Sequence, residues 1–333
     1  MAQAAMQELV GPCATRAFAI SGSKPTDEFA GDYPKLIRPD FHVYYVRLMD
    51  IQQRPASRTA IGVAVLRAMH ELYDDFPKIL SDPVIPLLLD DGVLEKAKAN
   101  LEWLRASRNM ALRSHVVLRS RYAEDCLHEA AVCGVNQYVI LGSGFDTFAY
   151  RQPGWAAPLR IFEVDHPASQ RAKVERLGLS GISLPPNLEF VPADFESTSV
   201  RDVLSLSSLD FSAPAFFSCL GVLVYLPTYS IKAIFQLVAS FPKPSEIVFT
   251  FSQGSYSSGD QSASDSSVAD AAAAVGEPWR TYHEPEALGR ELVGNGFSQV
   301  SFLSPQEAKH LYYRDRRDGL PPPRRIAIAR AIV

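Results

Sequence analysis

Between Gln137 and Asp165 the chain sets out a strand, a glycine turn and a second strand ending in a carboxylate, and few folds accept that order. An apolar run, Tyr138-Val139-Ile140-Leu141, leads into Gly142-Ser143-Gly144 and then Phe145-Asp146-Thr147. Some residues later Arg160-Ile161-Phe162-Glu163-Val164 ends in Asp165. With a helix between the two strands, this is how a doubly wound α/β fold holds a nucleoside. Glycines let backbone approach the ligand closely, and a carboxylate at the strand end receives ribose hydroxyls. Glu163, two residues earlier on the strand, is a secondary candidate.

Strand and helix patterns alternate from Gln137 onward. Strands are expected at 138–141, 159–164, 188–192, 214–219 and 246–252, with a last pair near 298–303 and 325–332. Helices are expected near 145–151, 167–176, 228–240 and 284–295. Before the first strand, apolar residues recur at helical spacing from Ala60 to His70, Leu94 to Arg113 reads as one unbroken helix, and His115 to Cys133 as another stopped by Gly134. Residues 1–54 have no clean period but carry aromatic residues (Tyr33, Phe41, Tyr44, Tyr45), which argues for an ordered arm. Ser252 to Ala274 is rich in Ser, Asp, Gly and Ala. It follows a strand end where α/β sites open, so a lid and a plain loop both fit. The domain layout is therefore an arm (1–54), a helical cap (55–135) and an α/β core (136–333).

The sequence around these elements resembles the leucine carboxyl methyltransferase family. The resemblance is carried by Val139 to Arg151 (Val-Ile-Leu-Gly-Ser-Gly-Phe-Asp-Thr-Phe-Ala-Tyr-Arg) and Phe162 to Pro167 (Phe-Glu-Val-Asp-His-Pro). It extends to Ser57-Arg58-Thr59-Ala60, Val63-Ala64, Arg67-Ala68, His70, Asp82-Pro83, Arg119 and Arg121, Gly221 to Pro227, Gly276-Glu277-Pro278 and Asp318-Gly319-Leu320. It covers roughly residues 55 to 333 and looks most like the family's bacterial small-molecule branch. It implies a class I methyltransferase fold dependent on S-adenosylmethionine (SAM): a seven-stranded, mostly parallel sheet closed by an antiparallel C-terminal hairpin.

The same resemblance implies site residues. Gly142, Ser143 and Gly144 form the cofactor turn, and Asp165 takes the ribose. Asp194 accepts from the adenine amino group, while Phe195 offers its N–H and covers the ring. Arg119 pairs with the carboxylate of the methionine moiety, a task suited to a bidentate fork; Arg121 lies on a different helix face. Protein-directed members carry a Glu where this chain has Leu220, so the cofactor's amine must turn to backbone carbonyls such as those of Leu220 or Gly142. Tyr225 lines the acceptor pocket or is a core tyrosine. The expected activity is O-methylation of a small-molecule carboxylate or hydroxyl. A non-catalytic SAM-binding module and an NAD-dependent oxidoreductase are the alternatives. Against NAD stands Thr147, where a dinucleotide fingerprint has its third glycine. Methyl transfer needs mainly alignment, and no catalytic base is assigned, although His70, His166 and Tyr225 are conceivable.

Composition narrows the partners. A chain of 333 residues that is 47% hydrophobic and 21% charged is ordinary for a globular protein. The net charge of −4 with scattered basic residues argues against nucleic acid. No run approaches the ~18 apolar residues that span a membrane, and no signal pattern opens the chain. Four cysteines without metal-type spacing read as reduced thiols of a cytoplasmic protein, and no metal site is expected. The oligomeric state stays open, with a homodimer among the options.

Overall fold

The computed structural model describes residues 57–254 and 263–333. The arm at 1–54 and part of the segment after Ser252 therefore lie outside the described residues. The strands are β1 (Gln137–Leu141), β2 (Arg160–Asp165), β3 (Leu188–Pro192), β4 (Phe216–Cys219), β5 (Glu246–Thr250), β6 (Gln299–Phe302) and β7 (Ile328–Ile332). They form one seven-stranded sheet in the order β3-β2-β1-β4-β5-β7-β6. Neighbours from β3 to β5 are parallel, while β7 lies antiparallel between β5 and β6. All seven expected strands are present, and the fold is the one the resemblance implied.

All five residues of β1 are buried because both faces of the sheet are covered, which is why the strand reads as a continuous apolar run. Val139 and Leu141 point into one core with Phe162, Phe217 and Phe249; Tyr138 and Ile140 point into the other with Phe148 and Phe216. The alternation follows from the period-2 geometry of a strand.

The helices are α1 (Arg58–Tyr73), α2 (Asp91–Ala99), α3 (Leu101–Arg105), α4 (Ser107–Val132), α5 (Pro167–Leu179), α6 (Val200–Ser205), α7 (Thr228–Ala239), α8 (Ala263–Ala274), α9 (Pro285–Gly294) and α10 (Pro305–Tyr312). The cap is built from α1 to α4, with Ala64, Val65, Ala68 and Met69 of α1 packed against Val93, Ala97 and Leu104. Leu94 to Arg113 is not one helix. Asn100 closes α2 with non-helical backbone (φ −111°, ψ 57°) and its side chain accepts from Trp103 N–H, starting α3. Asn favours such local bonds over helix continuation. Ala106 (φ −57°, ψ 131°) makes a second break, beyond which α4 runs unbroken through to Val132.

The helix expected at 145–151 is also absent; only a 3-10 turn, Phe148–Tyr150, forms there. Asp146 accepts from Phe148 N–H at 2.8 Å, and Thr147 is tied into a buried polar network, so neither is available to a regular helix. The segment expected as a loop after β5 ends in α8, which Gly276 terminates with φ +86°.

Candidate active site

A cavity opens at the C-terminal ends of β1, β2 and β4, roofed by α1 and α4 of the cap. Its floor is the turn Gly142-Ser143-Gly144, where both glycines have positive φ (73° and 46°). At Gly142 a side chain is excluded twice over, since a Cβ would lie 2.3 Å from a Val222 methyl. The turn is held to β2 by Gly142 N–H and Ser143 N–H donating to Val164 O, and by Gly144 N–H donating to Asp165 Oδ2. His166 N–H donates to the other Asp165 oxygen at 2.6 Å. Burial pushes the Asp165 carboxyl above its ordinary value, and these two N–H groups oppose the rise.

Arg119 projects from α4 into the cavity, against Gly221 (φ +77°), where a Cβ would meet its guanidinium at 2.6 Å. Among the described residues Arg119 has no hydrogen bond or ion pair. Burial lowers its pKa to about 10, Arg67 adds to the effect, and Tyr225 and Asp146 oppose it; the group stays charged at neutral pH. Arg121 is different: it faces outward and grips Asp125 at 2.9 and 3.0 Å. His115, one turn before Arg119, is pushed down to about 3 by burial and by Arg119, so it is neutral.

Of the other expected residues, Phe195, Leu220 and Tyr225 line the cavity together with the glycine turn and Asp165. Asp194 does not. It is 5% exposed, and its carboxylate accepts from Glu196 N–H at 3.0 Å and Ser197 Oγ at 2.9 Å, shaping the loop behind Phe195. Glu163 is turned away from the cavity and fully buried, with Lys173 of α5 at 2.6 Å. His70 and His166 are outside the lining. His70 Nδ1 sits 2.7 Å from Asp74, and His166 caps α5 by accepting from Ala168 N–H at 3.2 Å. Among the described residues no three His, Cys, Asp or Glu side chains could hold a metal ion, and no helix is long and apolar enough to cross a membrane.

The roof holds residues for which sequence reasoning had named no role. Thr59, Ala60, Val63 and Arg67 follow one another at helical spacing along the cavity face of α1. They stand within the motif Ser57 to Ala68 already noted, so the signal lay in the periodicity of that motif. Arg67 Nη2 donates to Asp82 Oδ2 at 2.5 Å and to Thr147 Oγ1 at 2.9 Å. The Thr147 hydroxyl donates to Asp82 at 2.8 Å and accepts from Arg151 Nε at 3.0 Å, and Arg151 in turn holds Glu124 of α4. Burial works against the Asp82 charge, but Arg67 and Arg151 keep its carboxyl below the usual range. Thr147 thus fills the place of a third glycine with a buried hydroxyl that knits cap to core.

The arrangement fits an adenosyl amino acid: a close-approach glycine turn, a strand-end carboxylate, an aromatic face and an unpaired guanidinium share one cavity. Comparison with known proteins agrees. Residues 60–239 match the model of the leucine carboxyl methyltransferase family. A Bacillus subtilis (strain 168) protein named "Putative S-adenosyl-L-methionine-dependent methyltransferase YktD" is 30% identical over 304 residues, covering 81% of this chain and 95% of that protein. A protein of Mycobacterium tuberculosis (strain H37Rv) with the same description is 36% identical over 116 residues, covering 35% of this chain and 37% of its own length. Among solved structures, a "putative methyltransferase" from Thermobifida fusca YX superposes with a TM-score of 0.50 at 19% identity, covering 81% of this chain and 93% of that one, a likeness of fold. The chain belongs to the leucine carboxyl methyltransferase family and is an S-adenosylmethionine-dependent methyltransferase.

Proposed function

We propose that the enzyme methylates an oxygen of a small molecule, a carboxylate in first place and a hydroxyl in second. The observation that carries the preference is that the described residues of the lining include no free base. Among the described residues no histidine lines the cavity, and the two carboxylates that do are engaged, Asp146 by Phe148 N–H and Asp165 by two backbone N–H groups. Tyr225 is pushed above its ordinary pKa by burial and so keeps its proton. Such a site can donate hydrogen bonds but offers little to abstract a proton. A carboxylate needs no deprotonation near neutral pH, whereas a hydroxyl acceptor would benefit from a base.

In this reading the cofactor supplies a methyl group on a sulfonium that is already a strong leaving group. The residues bind and align. Asp165 receives the ribose hydroxyls and Phe195 covers the adenine, with Asp194 shaping the loop that presents Phe195. Arg119 forks onto the carboxylate. The carbonyls of Leu220 and Gly142 take the ammonium that no Glu is there to receive. Tyr225 orients the acceptor by donating to one of its oxygens. With the cofactor bound, the acceptor oxygen would take the methyl group while the electron pair of the broken carbon–sulfur bond left with sulfur, and a carboxylate acceptor would release no proton. Holding oxygen, carbon and sulfur in line supplies much of the acceleration.

Incubation with methyl-labelled SAM and extracts of small carboxylic and phenolic metabolites tests this. Label is expected in the small-molecule fraction, with base-labile esters ahead of ethers. Label on protein alone would overturn the reading.

A further inference from the structure

The motif Gly276-Glu277-Pro278 has no part in the functions described so far, yet Glu277 reaches across more than two hundred positions of sequence to the roof of the cavity. Its carboxylate accepts from Arg58 N–H at 2.9 Å, Thr59 N–H at 3.2 Å and Ser57 Oγ at 3.0 Å. Ser57 Oγ in turn accepts from Ala60 N–H at 3.1 Å. The first turn of α1, whose N–H groups have no partner within their own helix, is therefore capped by a residue from the far end of the chain. Gly276, turning with φ +86° after α8, aims the carboxylate there.

The strap that follows is fastened on other sides of the cavity. Arg280 N–H donates to Val224 O at 2.6 Å, and Thr281 Oγ1 to Leu223 O at 2.8 Å, both in the turn that carries Tyr225. Arg280 also reaches Glu196, beside the Phe195 loop, at 2.6 Å, and His283 N–H donates to Ser252 O at 2.8 Å. Between these fastenings the Thr59 hydroxyl and the Trp279 indole N–H are buried without a hydrogen-bond partner of good geometry. Both adjoin the Tyr225 hydroxyl. Three polar groups thus gather at the Tyr225 hydroxyl, one from α1, one (the hydroxyl itself) from the turn after β4 and one from the strap. The Glu277 contacts join the strap to α1 directly.

We propose that Glu277 is a positioning residue for the methyl acceptor: by capping α1 from the strap it holds Thr59, Tyr225 and Trp279 in one arrangement. The inference rests on the cavity being read as a joint cofactor and acceptor site. Glu277 is not itself among the residues that line the cavity, so its loss should leave the cofactor contacts of Asp165 and Phe195 in place.

The test compares the full-length protein with Glu277→Ala and Glu277→Gln. Hydrogen exchange followed by mass spectrometry should show the amides at 58–60 losing protection in Glu277→Ala, with the central strands unchanged. With the small acid found in the labelled-methyl screen, acceptor KM should rise about tenfold while SAM KM and the affinity for S-adenosylhomocysteine stay within about twofold. Glu277→Gln, which keeps one acceptor oxygen for the α1 N–H groups, should shift acceptor KM in the same direction by less, and it serves if the alanine variant folds poorly. Unchanged acceptor KM, or SAM KM rising in step with it, would overturn the proposal. Failure of the wild-type protein to bind S-adenosylhomocysteine would instead strike at the reading of the cavity itself.

Discussion

Arg119 carries a positive charge into a cavity where no carboxylate of the described residues meets it, which is costly unless a ligand does. The charge should therefore trade stability for binding. Arg119→Met is expected to leave the ligand-free protein as stable as before or more so, while weakening S-adenosylhomocysteine by about 1.5–3 kcal/mol, roughly ten- to a hundredfold. Thermal unfolding with and without ligand reads both quantities. A lower midpoint with affinity intact would make Arg119 a structural residue. Asp165 differs, because it already accepts from Gly144 and His166 and so shapes the turn it serves. Asp165→Ala should weaken the same ligand by a similar ~1.5–3 kcal/mol in calorimetry; unchanged affinity would remove it from the site. Gly142, Gly144 and Asp165 could be singled out from sequence because their chemistry follows from the order strand, turn, strand. The environment of Arg119 could not, since only the fold brings Gly221 against it and leaves its guanidinium unpaired.

At the scale of elements, the strands were legible because burial on both faces writes itself as apolar runs. The helices of the cap were less so. Periodicity alone carries a helix straight through Asn100 and Ala106, whereas the breaks depend on a side-chain cap and on backbone angles that packing selects. The 3-10 turn after β1 was hidden for a related reason: Asp146 and Thr147 are spent on tertiary contacts. Another such contact joins β2 to α5, where Glu163 and Lys173 are both fully buried and 2.6 Å apart. Burial lifts the Glu163 pKa to about 7 from 4.5 despite Lys173. A carboxyl whose folded value is raised contributes most below its unfolded value, and that contribution is lost as pH rises through the folded one. Stability from this group should thus decline between about pH 4.5 and 7. Glu163→Leu alone should cost about 3–5 kcal/mol by stranding the lysine, whereas Glu163→Leu with Lys173→Met should be near neutral. Urea unfolding at pH 5 and 7.5 would show the double variant with the flatter pH dependence. A double variant as unstable as the single one would mean that the pair contributes more than its mutual compensation.

For the molecule as a whole, the question is what makes a helical cap and an α/β core act as one enzyme. The cavity lies between them, so any slack there misplaces the reacting groups. Thr147 is the hub of the joint: fully buried, it donates to Asp82 and accepts from Arg67 of α1 and from Arg151, which holds Glu124 of α4. Its hydroxyl is a second shared acceptor for two guanidinium groups that both also pair with the Asp82 carboxylate, Arg67 at 2.5 Å and Arg151 at 3.4 Å. Thr147→Val preserves shape while removing that hydroxyl, leaving two charged donors short of an acceptor, at a cost of about 1–3 kcal/mol. Since β1 and β2 keep their own ladder and core, the loss should fall on the joint rather than on the sheet. Hydrogen exchange in Thr147→Val is expected to speed up in α1 and at 145–151 ahead of β1 and β2, with cofactor affinity falling as the glycine turn loses its support. Uniform acceleration through sheet and cap alike would show instead that the two parts unfold as a single cooperative unit and that Thr147 is only one core contact among many.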